Sequence, residues 1–422
     1  AAAAIIAGAA LSVQGMAEAR LGRRLTPWQL RALLSDPVYG TGSAYGESID
    51  KIGVMPDLRS IARSNVLNLT ADVYLRDYVG DAGDPHGGPL SASPDLILRS
   101  ARVGNPQAAF GEGSGTENSN TLGTTAEAGQ DNYVYVRARN RGGSAATDVD
   151  AHVYWSPPAT LVTPDLWTPV GSVTLPNVPV GDVLTVSDPI TWPTADVPPT
   201  GHYCLVGILD CDEDPFPFDP ATVFPNAPGD GFVTWANYLR FIRENNNVTW
   251  RNLNVVDDVP RYRLRATGRR VVPLPFLAPG APDRARPMRL EIGGKLPEGA
   301  ELWLEAPVRL LDALGTGGQY EPMEIDREED EHRDADFLRR LLGEPPDEDR
   351  EVMGVRLNPH GRSLFRDVLF PARSRSRLRL LVHIPEEGRR YAYEVFARQL
   401  YEGQEVGRIT WRIAPPADDR AR

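Results

Sequence analysis

The sequence predicts a mainly β protein: two sandwich-like β domains in tandem, preceded by a short helical segment. Three observations carry this. From Asp95 to about Asp258, apolar and polar residues alternate with period two in short runs separated by Pro and Gly turns. After Asp258 further short β-type runs follow, and before Ser64 the apolar residues recur instead at helical spacing. The chain has 422 residues, 41% hydrophobic and 24% charged, which is ordinary for a globular protein and enough for about three units.

Residues 1 to about 20 are dense in Ala and read as a helix whose small side chains suit close packing on several sides, a buried core element. Thr26-Pro27 supplies an N-cap and a first-turn proline, and Trp28, Leu30, Leu33 and Leu34 give a second helix an apolar stripe ending near Pro37. Val38 to Glu47 reads as a loop, and IGVMPDLRSIA as a last short helix, so the first unit spans 1–64. Residues 65–94 hold one strand-like run, Leu69 to Val79, and then GDAGDPHGGPLSASP, which has the composition of a linker.

The domain at 95–258 contains the clearest alternation. Val134, Val136 and Ala138 point one way and Tyr133, Tyr135 and Arg137 the other. Val149, Ala151, Val153 and Trp155 alternate with Asp148, Asp150, His152 and Tyr154, and NRGGSAAT between the two runs predicts a hairpin. Further strands are expected at Gly171 to Leu175, Val183 to Val186, His202 to Leu209 and Val248 to Val256. That makes roughly seven short strands, the pattern of an immunoglobulin-like sandwich. Trp235, Tyr238, Leu239 and Ile242 share one helical face, and Asn245 to Asn247 end that helix.

A second β-rich domain is expected over 259–422, with strands at Met288 to Ile292, Leu302 to Leu304, Leu378 to Ile384, Tyr391 to Leu400 and Arg408 to Ile413. An acidic insertion at 321–351, with a short helix at Ala335 to Leu342, reads as a solvated face.

A formal charge of -12 argues against a nucleic-acid partner, which needs a basic surface. Lys occurs only at Lys51 and Lys295, so the positive charge is nearly all Arg, a bias we ascribe to genomic base composition. No segment is long and apolar enough for a membrane span. The opening AAAAIIAGAALSVQG runs on into AEARLGRR without a turn and reads as a packed helix rather than a secretory leader, and the sequence reads as a fragment. Cys204 and Cys211 cannot bridge if they share one extended strand; free thiols and a hairpin disulfide both stay open. No cofactor motif is present, and His152 and His202 sit on strands as structural residues.

Two acidic loops merit weighing as cation sites. Asp210, Asp212, Asp214 and Asp219 cluster in LDCDEDPFPFDP, but the loop lacks the glycine and distal glutamate of an EF-hand and reads as an exposed acidic turn. Asp77, Asp81 and Asp84 in RDYVGDAGDP, with Gly80 and Gly83, read as plain turns. We assign neither loop a metal.

The extreme N-terminus resembles the helix after the nucleophile in subtilisin-like serine peptidases, written Gly-Thr-Ser-Met-Ala-Ala-Pro-His-Val-Ala-Gly. Ala2 and Ala3 fall on the paired alanines, Ile6 on the valine and Ala7-Gly8 on the Ala-Gly; Ala4 stands in place of the proline and Ile5 in place of the histidine. LTPWQLRALL at Leu25 to Leu34 is similar to the family's next helix. The resemblance implies that residues 1–64 are the helical C-terminal remnant of an α/β catalytic domain, acting on a protein or peptide substrate. It places the nucleophilic serine immediately before Ala1 and leaves no catalytic residue in this chain. The altered Ala4 keeps a pseudopeptidase open. The middle domain is similar to CARDB-like adhesion-type sandwiches through VYVRARNRGGSAATDVDAHVYWS, the turn at Trp167 to Gly171, GHYCLVG and NNNVTWRNLNVV. Such domains flank extracellular or cell-surface enzymes as binding, spacing or targeting modules. The alternative is a non-enzymatic surface module of tandem sandwiches with an unknown ligand.

Overall fold

A computed structural model describes residues 2–22, 24–41, 53–62, 71–86, 88–123, 125–198, 201–216, 235–256, 261–264, 268–323, 325–328 and 351–413. Most of the acidic insertion, the helix expected at Ala335 to Leu342 and Asp219 lie outside the described residues.

The helical unit contains α1 (Ala2–Leu21), α2 (Pro27–Ser35) and α3 (Leu58–Ala62), and a short ladder joins β1 (Gly40–Thr41) to β2 (Met55–Pro56). Thr26 caps α2 as its sequence predicts: Thr26 Oγ1 accepts the Gln29 amide at 3.2 Å and Gln29 Oε1 accepts the Thr26 amide at 3.0 Å. The expectation of an α1 buried on several sides is corrected. Ala9, Val13 and Ala17, each four residues apart, pack with Leu25, Leu33, Leu34 and Ile61 in one small core. One stripe is all that α2 and α3 cover, so Ile5 is 54% and Leu11 75% exposed, and Trp28 on α2 is 79% exposed.

The next region is a two-sheet sandwich. Its elements are β3 (Val73–Tyr74), β4 (Leu96–Arg99), α4 (Pro106–Phe110), β5 (Thr125–Glu127), β6 (Asn132–Asn140), β7 (Ala146–Ser156), β8 (Thr168–Val178), β9 (Thr185–Val186), β10 (Ile190–Trp192), β11 (Gly201–Asp210), α5 (Trp235–Glu244) and β12 (Val248–Val256). In one sheet β6 pairs with β10, β3, β4 and β9; the other runs β5-β12-β11-β7-β8, with β5 parallel to β12. The expected hairpin between β6 and β7 is not formed, because these strands belong to different sheets. Asn140 turns the chain across the core: its Nδ2 donates to Ser144 O at 2.8 Å and Val178 O at 3.0 Å, and its Oδ1 accepts the amides of Gly142 and Asp72. Val134, Val136 and Ala138 thereby face Val149, Ala151 and Val153 across one core instead of lying beside them.

The outward face of β6 is also covered. Tyr135 and Arg137 are fully buried, Tyr135 packing on Phe110 and accepting the Val103 amide at 2.7 Å. On β11, Tyr203, Leu205 and Leu209 enter this first core, while Cys204, Val206 and Ile208 enter a second. Burial on both faces is why GHYCLVGIL reads as a continuous apolar run.

The third region adds β13 (Arg261–Leu264), β14 (Arg270–Pro279), β15 (Arg286–Gly294), β16 (Glu301–Pro307), α6 (Val308–Leu314), β17 (Ile325–Glu328), β18 (Val352–Leu357), β19 (Arg362–Phe370), β20 (Arg375–His383), β21 (Tyr393–Tyr401) and β22 (Gln404–Ile413). They form sheets β17-β13-β14-β20-β16-β18 and β19-β15-β21-β22. All five expected strands are present, though Ile384 falls just past the end of β20 and Tyr391 just before the start of β21; β14, rich in proline, was not expected. Its prolines are tolerated because Leu277, of the same parity as Pro273 and Pro275, donates away from β20, to Pro158 O at 2.8 Å. The prolines therefore forfeit no bond to β20.

The second core is shared between the two β regions: Val206, Ile208, Trp250 and α5 residues Tyr238 and Phe241 pack with Phe276, Leu290, Leu380 and Trp411. Polar contacts follow the same seam, with Thr160 N donating to Leu277 O at 2.9 Å and Asn252 Nδ2 to Thr410 O at 2.8 Å. Gly407 is required there, since a Cβ would lie 1.7 Å from Thr160 O.

Candidate functional site

The stretch between β3 and β4 has the composition of a linker, yet Asp77, Asp81, Leu90, Ser91 and Ser93 are buried. Its Gly, Pro and Asp residues are spent on turns closed by side chains. Asp81 accepts the Asp77 amide through Oδ2 and the Gly83 amide through Oδ1, both at 2.8 Å, and Gly83 has φ +77°. A Cβ on Gly83 would come within 2.9 Å of the Tyr74 ring, so glycine serves both conformation and packing.

This fold brings together Asp77, Asp81 and His86, the one group of three among the described residues close enough to share a cation, with ligand atoms within 4.8 Å of one another. His86 Nε2 lies 3.3 Å from Asp77 Oδ2 and 3.6 Å from Asp81 Oδ2. Asp77 Oδ1 accepts Thr249 Oγ1 of β12 at 2.6 Å, and the Asp77 carbonyl accepts the Ala92 amide. Tyr78 meets the imidazole edge-on at 5.0 Å. Of the sequence trio, Asp77 and Asp81 converge, while Asp84 turns away to accept Arg141 Nη1 at 2.6 Å. Sequence reasoning missed His86; its position nine residues after Asp77, beyond three turn residues, is the only signal.

The second nitrogen sets how the neutral ring faces the carboxylates. His86 Nδ1 accepts the Gly88 amide at 3.1 Å, so the neutral ring carries its proton on Nε2, facing both carboxylates. A metal on Nε2 would require a proton on Nδ1, where a second N–H already points; metal-bound histidines instead donate from that atom. In this state the ring presents an N–H to the two carboxylates. Loss of hydration raises the Asp77 carboxyl to about 6, and the bond to Asp77 raises His86 above its ordinary value.

Among its described residues, the other acidic loop does not converge. Asp210 Oδ1 accepts the Phe216 amide at 2.7 Å, and Asp214 Oδ2 accepts the Val73 amide at 2.8 Å and Asn247 Nδ2 at 3.2 Å. These carboxylates fasten the end of β11 to neighbouring segments. Cys204 and Cys211 are free thiols; seven residues apart on one extended run, they face different cores. Burial pushes them up to about 12 and about 11. His202 packs against Trp411 with ring centroids 5.7 Å apart.

Neither a protein-family model nor a curated protein matches the sequence. Among solved structures, the chain is similar to the CARDB domain of a Pyrococcus furiosus protein in complex with di-metal ions, at 14% identity and TM-score 0.19, over 43% of this chain and all of that one. It is also similar to red sea bream transglutaminase, at 8% identity and TM-score 0.19, over 89% of this chain and 34% of that one. Tripeptidyl peptidase 2 matches at 10% identity and TM-score 0.15, over 72% of this chain and 22% of that one.

Proposed function

We propose that this chain is the non-catalytic accessory part of a larger extracellular protein, its tandem β regions serving binding, spacing or targeting. The finer reading is the C-terminal part of a subtilisin-like serine endopeptidase, whose catalytic domain residues 1–64 complete. One observation carries this: the helical unit exposes Ile5, Leu11, Trp28 and Val38, large apolar side chains on an otherwise well-capped structure. Exposed apolar surface of this kind is normally covered by another layer. In the subtilisin-like reading that layer is the α/β sheet. The filled β cores support a scaffold or recognition role more than chemistry.

The test is to read the genomic frame upstream of the Ala1 codon and express the extended protein. The peptidase reading expects Gly-Thr-Ser in frame, labelling of that serine by a fluorophosphonate, and hydrolysis of casein. Gly-Thr-Ser with neither labelling nor hydrolysis would indicate a pseudopeptidase. An unrelated upstream sequence would retire the peptidase reading and leave a surface interaction module.

A further inference from the structure

We propose that a cleft on the seam between the two β regions, beside Arg373 and Ser374, seats the carboxylate of an acidic peptide side chain. Three segments wall it: the turn from Thr163 to Leu166 in the sandwich, the stretch from Pro279 to Pro282 at the end of β14, and the turn joining β19 to β20, which carries Arg373, Ser374 and Arg375. Its enclosed volume is about 10 Å³, room for one oxygen atom. Backbone bonds fix two of the walls to each other, Gly280 N donating to Ser374 O and Arg373 N to Ala281 O, both at 2.9 Å. Glycine is required at 280, since a Cβ there would lie 1.8 Å from Pro371 O and 2.8 Å from Ser374 Oγ.

The polar groups of the cleft point to an anion. Ser374 Oγ is buried, and no described residue gives it a hydrogen-bond partner. Arg373 spends Nε on Pro282 O at 3.0 Å, and among the described residues no carboxylate pairs with it. It also holds φ +54°, a conformation that glycine adopts at less cost, so the turn keeps an arginine against backbone preference. Arg375 is already taken by Asp165, through Nη2 at 2.7 Å, which leaves the charge of Arg373 uncompensated on a chain of formal charge -12. A flat carboxylate meets these groups: one oxygen enters beside Ser374 Oγ, the other stays on the guanidinium, and the buried Leu166, Pro279 and Pro282 line the way for the methylenes of a glutamate. A phosphate dianion fits less well, because Asp165 on the rim repels its second charge. The seat goes beyond the accessory role proposed above and is independent of what precedes Ala1.

Amide NMR of the full chain, titrated with acetyl-Ala-Glu-Ala-amide, acetyl-Ala-Gln-Ala-amide and inorganic phosphate in turn, tests this. Saturable shifts at Gly280, Ser374 and Arg375 are expected with the glutamate peptide, with binding about tenfold weaker for the glutamine peptide and for phosphate. Arg373→Gly suits the left-handed turn and keeps the fold while removing the guanidinium; it should weaken the glutamate peptide about tenfold. No saturable shift at these amides, equal binding of the two peptides, phosphate binding as tightly as the glutamate peptide, or unchanged affinity in folded Arg373→Gly would each overturn the proposal. Should the variant not fold, the comparison of the two peptides on the wild-type chain decides.

Discussion

Arg137 donates from Nε to Asp95 Oδ1 at 3.1 Å, at a place where neither side chain reaches solvent. The same carboxylate receives Arg76 Nη2 at 2.6 Å and the Arg76 amide at 2.8 Å. Arg137 extends further to the carbonyls of Thr116 and Ser119, while Arg251 reaches those of Leu96 and Leu122, so buried guanidinium groups hold the loop after α4 from beneath. Asp95→Asn removes the one charge that both Arg76 and Arg137 contact. A loss of about 3–5 kcal/mol is expected, read as a lower urea midpoint with an unchanged slope.

Asp214 gives a pH dependence of known sign. Burial raises its carboxyl to about 6, against the opposing hydrogen bond from Asn247. A folded value above the unfolded one means that its contribution is complete below the ordinary carboxylate value and lost as pH rises through about 6. Asp214→Asn keeps an acceptor for the Val73 amide and abolishes the titration. The gap between wild-type stability at pH 5 and pH 7.5 should shrink by roughly 1 kcal/mol in the variant, after allowance for partial exposure.

The thiols should be silent in the native protein. Cys204 is buried and raised to about 12, and Cys211 to about 11, so neither presents a thiolate near neutral pH. Iodoacetamide should label neither cysteine in native buffer and both in urea, and dithiothreitol should leave the melting temperature unchanged. Rapid native labelling of Cys211 would show that the end of β11 opens far more readily than its contacts to Asp214 imply.

How much of this was legible in the sequence varies with the kind of signal. The Thr26 cap with Pro27 after it and the alternation through Val134, Val136 and Ala138 are local, and they appear as read. Whether NRGGSAAT joins neighbours in one sheet or crosses between two is not local: a turn of this length permits either, and the contacts of Asn140 with Asp72 and Val178 select the crossing. Composition misled where polar residues are buried. GDAGDPHGGPLSASP has the Gly and Pro of a linker, but Asp81 satisfies two amides and His86 packs on Tyr78, so the segment belongs to the body of the protein. Arg137 was assigned only to the outward face of its strand; the cover that buries it comes from α4 and the following loop, a long-range arrangement with no periodic trace.

The core shared across the two β regions makes a prediction that separate sandwiches would not. Trp250 on β12 is 1% exposed and belongs to the cluster that also holds Phe276 and Trp411 of the third region. Had each region its own closed core, removing Trp250 would destabilise one and spare the other. With a common core, Trp250→Ala should cost about 3–5 kcal/mol and shift both regions together. Urea unfolding followed by tryptophan fluorescence and by far-UV circular dichroism should therefore give coincident curves in the wild type, displaced equally in the variant. Two separated transitions, with only the earlier one moved by the substitution, would show that the seam between Thr160 and Leu277 is a docking contact between independent units.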